Sequence, residues 1–287
     1  MDSKKIVLGT VQLGIDYGIN NKAGKPSKQL AYTILETAWE KGISILDTAD
    51  AYGDAQTLIG EYHKLSNTVF EVNSKFKGNA INISSQLERT LNELRIDSLN
   101  CYFYHDFNDF VNKPNLIQEL IALKEKGKFK QIGLSVYENS ELELAISNPH
   151  IDFIQLPFNL FDNINERGIL LQEAKKQQKI IQVRSIYLQG LFFKEPQALP
   201  IKLAPLSPYL DQIHEIAKTY RLTIEELAIA YVMLQKQIDE IIIGVDNPDQ
   251  LKVNLEMFGK EFDPLLRNEI EKITVEEKEL LYPKNWN

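Results

Sequence analysis

In the stretch Ile43-Ser44-Ile45-Leu46-Asp47-Thr48-Ala49-Asp50-Ala51-Tyr52-Gly53, an apolar run with strand character ends in a carboxylate, and a phenol and a glycine turn follow. Strand alternation places Ile43, Ile45 and Asp47 on one face, so a face that begins as core finishes with an acid. Two further strand-like runs finish in the same manner. Phe70-Glu71-Val72-Asn73-Ser74 leads into Lys75, and Asn100-Cys101-Tyr102-Phe103-Tyr104 leads into His105. Three strand ends therefore deliver Asp, Lys and His.

Outward from this stretch the same unit recurs. Strands are expected at 5–9, 43–47, 69–74, 99–104, 130–135, 151–156, 179–183 and 239–243. Helical patterns fall between them, near 27–42, 55–63, 84–95, 115–126, 139–147 and 164–178, with two pieces at 209–220 and 223–236 and another from about 248. Ser85…Glu88 and Thr223…Glu226 have the spacing of capping boxes. Strict alternation of strand and helix implies a parallel sheet built by right-handed crossovers, and eight units suggest a closed (β/α)8 TIM barrel in the α/β class. The doubly wound alternative would carry a G-x-G-x-x-G turn after its first strand, which Gly9-Thr10-Val11-Gln12-Leu13-Gly14 does not match. The expectation is a single barrel domain over 1–287, with an extra C-terminal helix and tail at about 263–287. In such barrels the site lies at the C-terminal ends of the strands, where Asp47, Lys75 and His105 fall.

Composition sets the class. With 287 residues, 44% hydrophobic and 25% charged, the chain has enough apolar material for one such core. A net charge of −8 and a pI near 5.2 argue against nucleic-acid and anionic-membrane surfaces. The single cysteine, Cys101, leaves no disulfide framework within the chain, and Met1 to Ile6 has no signal-peptide core. A cytoplasmic protein without membrane or nucleic-acid partners, monomeric or weakly homo-oligomeric and without a metal, is expected.

The four polar groups define a chemistry. A phenol of ordinary pKa near 10 is a poor acid at neutral pH, and a Lys75 cation beside Tyr52 would lower that value, with Asp47 holding Lys75 charged and oriented. Tyr52 could then protonate a carbonyl oxygen while His105 aligns it. Any one of the four alone fits a structural role, as a turn cap, a surface lysine, a core histidine or one tyrosine among twelve. Three strands delivering complementary groups to one rim is what sets them apart.

Gly9-Thr10, Asp47-Thr48-Ala49 with Tyr52-Gly53, Ser74-Lys75 and Tyr104-His105 resemble the aldo-keto reductase superfamily over nearly the whole chain. The resemblance implies a TIM barrel, an extended nicotinamide cofactor and reduction of an aldehyde or ketone by hydride transfer. It implies Tyr52 as general acid, Asp47 and Lys75 as its tuning pair and His105 as the substrate-orienting residue. For the cofactor it implies Gly9, Thr10 and Asp47, then Ser135 and Gln155 at the nicotinamide carboxamide. Ser185, Gln189, Gly190 and Leu191 would form the loop crossing the pyrophosphate, and Gly244, Asn247, Gln250 and Asn254 the adenosine end. Three departures stand out. Val136 occupies a position commonly Asn, Gln56 one that is often Glu, and Arg184 one where an aromatic stacks on the nicotinamide, which a guanidinium plane can also do.

NADPH is the expected cofactor, with NADH open, because no Lys or Arg stands at Gly244 or Gln250 to clamp a 2′-phosphate. Two other functions compete with a carbonyl reductase: a non-catalytic nicotinamide-binding regulatory subunit, and a Lys75 Schiff-base lyase. The substrate is a small carbonyl compound. Few rim aromatics and the polar Asp106 and Asn108 after His105 favour a polar or sugar-like one.

Overall fold

The computed structural model describes residues 5–286 apart from 20, 22 and 78–81. Eight parallel strands close into a barrel in sequence order: β1 (Lys5–Gly9), β2 (Ile45–Asp47), β3 (Glu71–Phe76), β4 (Leu99–Tyr104), β5 (Phe129–Ser135), β6 (Phe153–Pro157), β7 (Ile180–Arg184) and β8 (Glu240–Gly244). β1 pairs with both β2 and β8, so no strand edge is left open. The helices are α1 (Val11–Gly14), α2 (Lys28–Glu40), α3 (Ala55–Ser66), α4 (Ile83–Leu94), α5 (Phe107–Asn112), α6 (Leu116–Glu125), α7 (Asn139–Ser147), α8 (Ile164–Lys176), α9 (Ser207–Tyr220), α10 (Ile224–Met233), α11 (Pro248–Phe258) and α12 (Leu265–Ile270). This is the expected (β/α)8 architecture. The extra C-terminal helix is only the six residues of α12, followed by short 3-10 turns.

Boundaries differ where side chains override the pattern. β3 runs two residues later than expected, and Lys75 is inside it. Phe70 is drawn out of the strand, with its N–H on the His63 Nε2 and its ring edge-on to Trp39. α4 is capped by Asn82, whose side chain accepts from the Ser85 N–H, rather than by the Ser85…Glu88 pair. The Thr223…Glu226 box on α10 is present in both directions. The proline-rich stretch after β7 coils into 3-10 turns at Leu188–Phe193, Pro196–Ala198 and Ile201–Leu206.

The strands bury both faces. Outward residues such as Leu8, Leu46, Val72, Ile154 and Ile241 are completely covered by the helical layer, each such side chain contributing about 1.5–3 kcal/mol of burial. Inside, the apolar packing is split into Val7, Ile45 and Ile242 on one side and Cys101, Phe103 and Phe153 on the other. Buried polar side chains fill the space between: Asp47, Asn73, Lys75, Gln155, Gln182 and Glu240. No helix among the described residues is long and apolar enough to cross a membrane.

Candidate active site

β2 and β3 carry the centre of the site. The Lys75 ammonium, buried within β3, forms an ion pair with the Asp47 carboxylate at the end of β2 and also donates to the Thr48 carbonyl at 3.1 Å. The other carboxylate oxygen of Asp47 accepts from Gln155 Nε2 at 2.8 Å. Burial alone would lower the Lys75 pKa, but the charges of Asp47 and Tyr52 and the bond to Asp47 outweigh it and raise it, so the ammonium stays charged.

The turn after β2 brings Tyr52 over this pair, with the Lys75 Nζ 5.2 Å from its ring centroid. Two glycines fix that turn. Gly53 has φ 58°, and its hydrogen faces the Gly14 carbonyl, while a Cβ on Gly14 would lie 1.7 Å from the Tyr52 carbonyl oxygen. A side chain at either position would push Tyr52 off the barrel mouth. His105, just past β4, meets the Tyr52 ring edge-on with centroids 5.8 Å apart. The structure thus brings together all four expected groups.

Electrostatics depart from the expectation in one respect. Burial pushes the Tyr52 phenol above its ordinary 10, and Asp47 adds to this; Lys75 and Arg184 pull it down without winning. Lys75 is a lowering influence, as anticipated, but the net direction is upward. Burial first, and then Lys75, Arg184 and Lys77, push the His105 imidazole down to about 3, so it is neutral at physiological pH. Its Nδ1 is buried without a hydrogen-bond partner.

The remaining expected residues divide by what their polar atoms already do. Ser135 at the end of β5 and Gln155 in the middle of β6 are register partners, both buried. Gln155 Nε2 is taken by Asp47 and by Gln182 Oε1 at 2.5 Å, while its Oε1 is an orphaned buried acceptor. Gly9 lies in register with Asp47 and Gly244 at the end of β1. Thr10 spends its hydroxyl on the Asp47 carbonyl at 3.0 Å, so it fixes backbone. At Gly244 an added Cβ would strike the Gln12 amide at 2.5 Å. Asn247 caps α11 through the Gln250 N–H, and Gln250 Oε1 accepts from the Asp246 N–H. Asn254 Oδ1 accepts from the Tyr187 hydroxyl at 2.9 Å.

The loop after β7 has an unusual backbone. Ser185, Leu188, Gln189 and Gly190 all have positive φ, between 46° and 91°. Three of these are not glycine, a strain of about 1–3 kcal/mol each that clusters where binding is done. Gln189 reaches the Tyr17 hydroxyl at 3.0 Å, and its carbonyl accepts from the Ile19 N–H at 3.2 Å, tying this loop to the one after β1. The Leu191 side chain is in the core, leaving its backbone alone for any ligand. Arg184 stacks on Tyr137, with its guanidinium carbon 4.2 Å from the ring centroid.

Several residues escaped the sequence reading. Tyr17 and Tyr137 make the mouth more aromatic than expected, and Lys284 of the C-terminal tail lies 4.6 Å over Tyr137. Gln182 and Glu240 continue the buried line from Gln155, Gln182 Nε2 donating to Glu240 at 2.8 Å. The signal for the last two was available, since Gln182 and Arg184 share a strand face, as do Glu240 and Gly244.

A nicotinamide cofactor would need an acceptor for its carboxamide N–H and room for close approach to the backbone. The free acceptor on Gln155 beside Ser135, and the glycines where β1 and β8 end side by side, fit a carboxamide and a closely approaching ligand. Among the described residues no group of His, Cys, Asp and Glu could hold a metal ion.

The sequence model of the aldo/keto reductase family matches residues 5–275, and the chain belongs to that family. It is similar to the aldo-keto reductase YhdN of Bacillus subtilis, 22% identical over 94% of this chain and 92% of that protein. It is also similar to the NADH-specific methylglyoxal reductase of Escherichia coli, 23% identical over 88% and 92% of the two chains. Among solved structures, the holo form of an aldo-keto reductase from Bacillus halodurans superposes with a TM-score of 0.75 at 18% identity, covering 96% of this chain and 94% of that one.

Proposed function

We propose that this member of the aldo/keto reductase family reduces a small aldehyde or ketone to an alcohol with NAD(P)H, and that Tyr52 donates the proton. The observation that carries the reading is the buried Lys75–Asp47 ion pair directly beneath the Tyr52 ring, with His105 edge-on to that ring. A reduced nicotinamide supplies the hydride when bound. Gln155 Oε1 and Ser135 would hold its carboxamide, and the strained loop through Ser185, Gln189 and Gly190 would cross its phosphates.

The chain's own groups do the rest. A phenol whose pKa lies above 10 keeps its proton until an oxyanion forms beside it, and the charged Lys75 then stabilises the phenolate left behind. The neutral His105 donates a ring N–H to the carbonyl oxygen without adding another positive charge next to Lys75. Lys75 itself is unsuited to Schiff-base chemistry, because its nitrogen is protonated and held by Asp47 and Thr48. NADPH remains the preferred cofactor with weak discrimination. Lys252, the basic residue nearest in sequence to Gln250, is paired with Asp249 at 3.2 Å, and one relative carries an NADH-specific name.

The test is oxidation of NADPH by the purified protein with reactive aldehydes, alongside cofactor binding by fluorescence. Turnover that disappears in Tyr52→Phe is expected. Tight cofactor binding with no turnover of any aldehyde would refute the reading in favour of a binding subunit.

A further inference from the structure

Arg184 ends β7 but does not lean toward β8 and α11, where the adenosine end would lie. It reaches the other way, across β6, to the loop after β5. There its guanidinium lies on the Tyr137 ring, and among the described residues its side chain makes a single, long hydrogen bond, 3.5 Å from Nη2 to the Val136 carbonyl. From that position it is close enough to bias the titration of Tyr52, Lys75 and His105. Among the described residues no carboxylate stands within ion-pair distance of it. The exposed Lys284 lies on the same ring and likewise has no carboxylate partner among the described residues.

The nearby acids are committed elsewhere. Asp162 is clamped by Arg167 through two bonds of 2.7 and 2.8 Å, Glu141 accepts the Tyr137 N–H, and Glu138 accepts from the Tyr282 hydroxyl. Tyr137 is held at both its peptide groups, since Arg167 also donates to its carbonyl at 2.6 Å. The ring is a fixed platform. Arg184 and Lys284, at 4.2 and 4.6 Å from the centroid of the same ring, bring two cations without carboxylate partners among the described residues to one part of the mouth, and a bound anion would relieve their repulsion.

Resting on the reductase reading, we infer that Arg184, Tyr137 and Lys284 form an anion subsite beside Tyr52 and His105, so that the preferred substrate is a carbonyl compound bearing a carboxylate or a phosphate. The fork of the guanidinium matches either group with two parallel N–H bonds, and Lys284 adds a point charge at the rim.

Matched pairs test it: benzaldehyde against para-carboxybenzaldehyde, and glyceraldehyde against glyceraldehyde phosphate, which also tells the two anions apart. The wild type should prefer the charged member of at least one pair by about tenfold or more in kcat/KM. Arg184→Met should bring that ratio close to one. Lys284→Met, in the exposed tail, should lower it by a smaller factor and decides the matter if the Arg184 variant fails to fold. Equal use of both members of both pairs by the wild type overturns the subsite while leaving the reductase reading intact, and a charged preference unmoved by both substitutions overturns it too. If no aldehyde is reduced, benzoate and benzamide binding in the presence of NADPH gives the answer without turnover. Benzoate binding that Arg184→Met abolishes upholds the subsite and sinks the reductase reading; benzoate binding no tighter than benzamide overturns the subsite.

Discussion

Glu240 is the buried acid whose replacement tests the barrel interior most directly. It starts β8, is 4% exposed, and accepts from Gln182 at 2.8 Å. Burial pushes its pKa from 4.5 up to about 6, with Asp239 and Asp47 adding to the rise and Gln182 and Lys5 opposing it. The folded protein thus holds this proton more tightly than the unfolded chain does. Its contribution to stability is full below a pH of about 4.5 and is lost as pH rises through about 6. A shift of roughly 1.5 units corresponds to about 2 kcal/mol. Glu240→Gln keeps the shape and removes the titration. Relative to wild type, the variant should therefore gain about 2 kcal/mol between pH 4.5 and pH 8. Urea unfolding of both proteins, followed by circular dichroism across that range, measures the difference, in which titrating groups not coupled to Glu240 cancel. Stability curves that stay parallel would show that Glu240 holds no extra proton. A variant that loses ground at the higher pH would show that the carboxylate is stabilised by Gln182 more than burial penalises it.

Tyr52→Phe should cut kcat by about 10²–10⁴ while cofactor affinity is kept, because the phenolic proton is needed only as charge develops; near-normal kcat on a substrate whose chemical step limits turnover would refute Tyr52 as the acid. Lys75→Met should cost about 3–5 kcal/mol of stability by stranding the buried Asp47 carboxylate. It should also raise the apparent pKa of the acid in the pH–rate profile, since Lys75 pulls the phenol down; a folded variant with reduced activity and an unmoved profile would make Lys75 a structural residue only. The NADPH:NADH ratio of kcat/KM should stay under about a hundredfold, or roughly 2.8 kcal/mol, and steady-state kinetics giving a ratio in the thousands would reveal a phosphate clamp beyond Gly244 and Gln250.

The barrel was legible because its strands are separated by helices at even spacing, and because three of them end in groups no strand interior would carry without a use. What pattern could not place were the ends. Phe70 has the sequence of a strand residue, yet aromatic packing on Trp39 and the bond to His63 keep it out of β3. β6, β7 and β8 each run one residue past their apolar stretch, to Pro157, Arg184 and Gly244, because their ladder continues where hydrophobicity stops. The mouth was less legible still. Tyr17, Tyr137 and Lys284 come from loops and the tail, where sequence gives no register, and Arg184 was visible as a departure but not its stacking on Tyr137.

The polar line across the interior was hidden for a different reason. A strand buried on both faces has no polar face against which alternation can be scored, so Gln182 and Glu240 read as interruptions rather than as a structure. Their meaning comes from closure of the barrel, which sets Gln155 beside Gln182 and Gln182 beside Glu240 in register across β6, β7 and β8. An ionised carboxylate can only accept, so Glu240 turns the Gln182 amide nitrogen toward itself. The Gln182 oxygen must then face Gln155 and take one of its N–H groups, and Asp47 takes the other. Both donors of Gln155 are consumed, and its Oε1 is left as a free acceptor beside the ion pair under Tyr52. The acid at the start of β8 thereby decides which atom of Gln155 stays free as an acceptor, a consequence of orientation that no residue in the line conveys by itself.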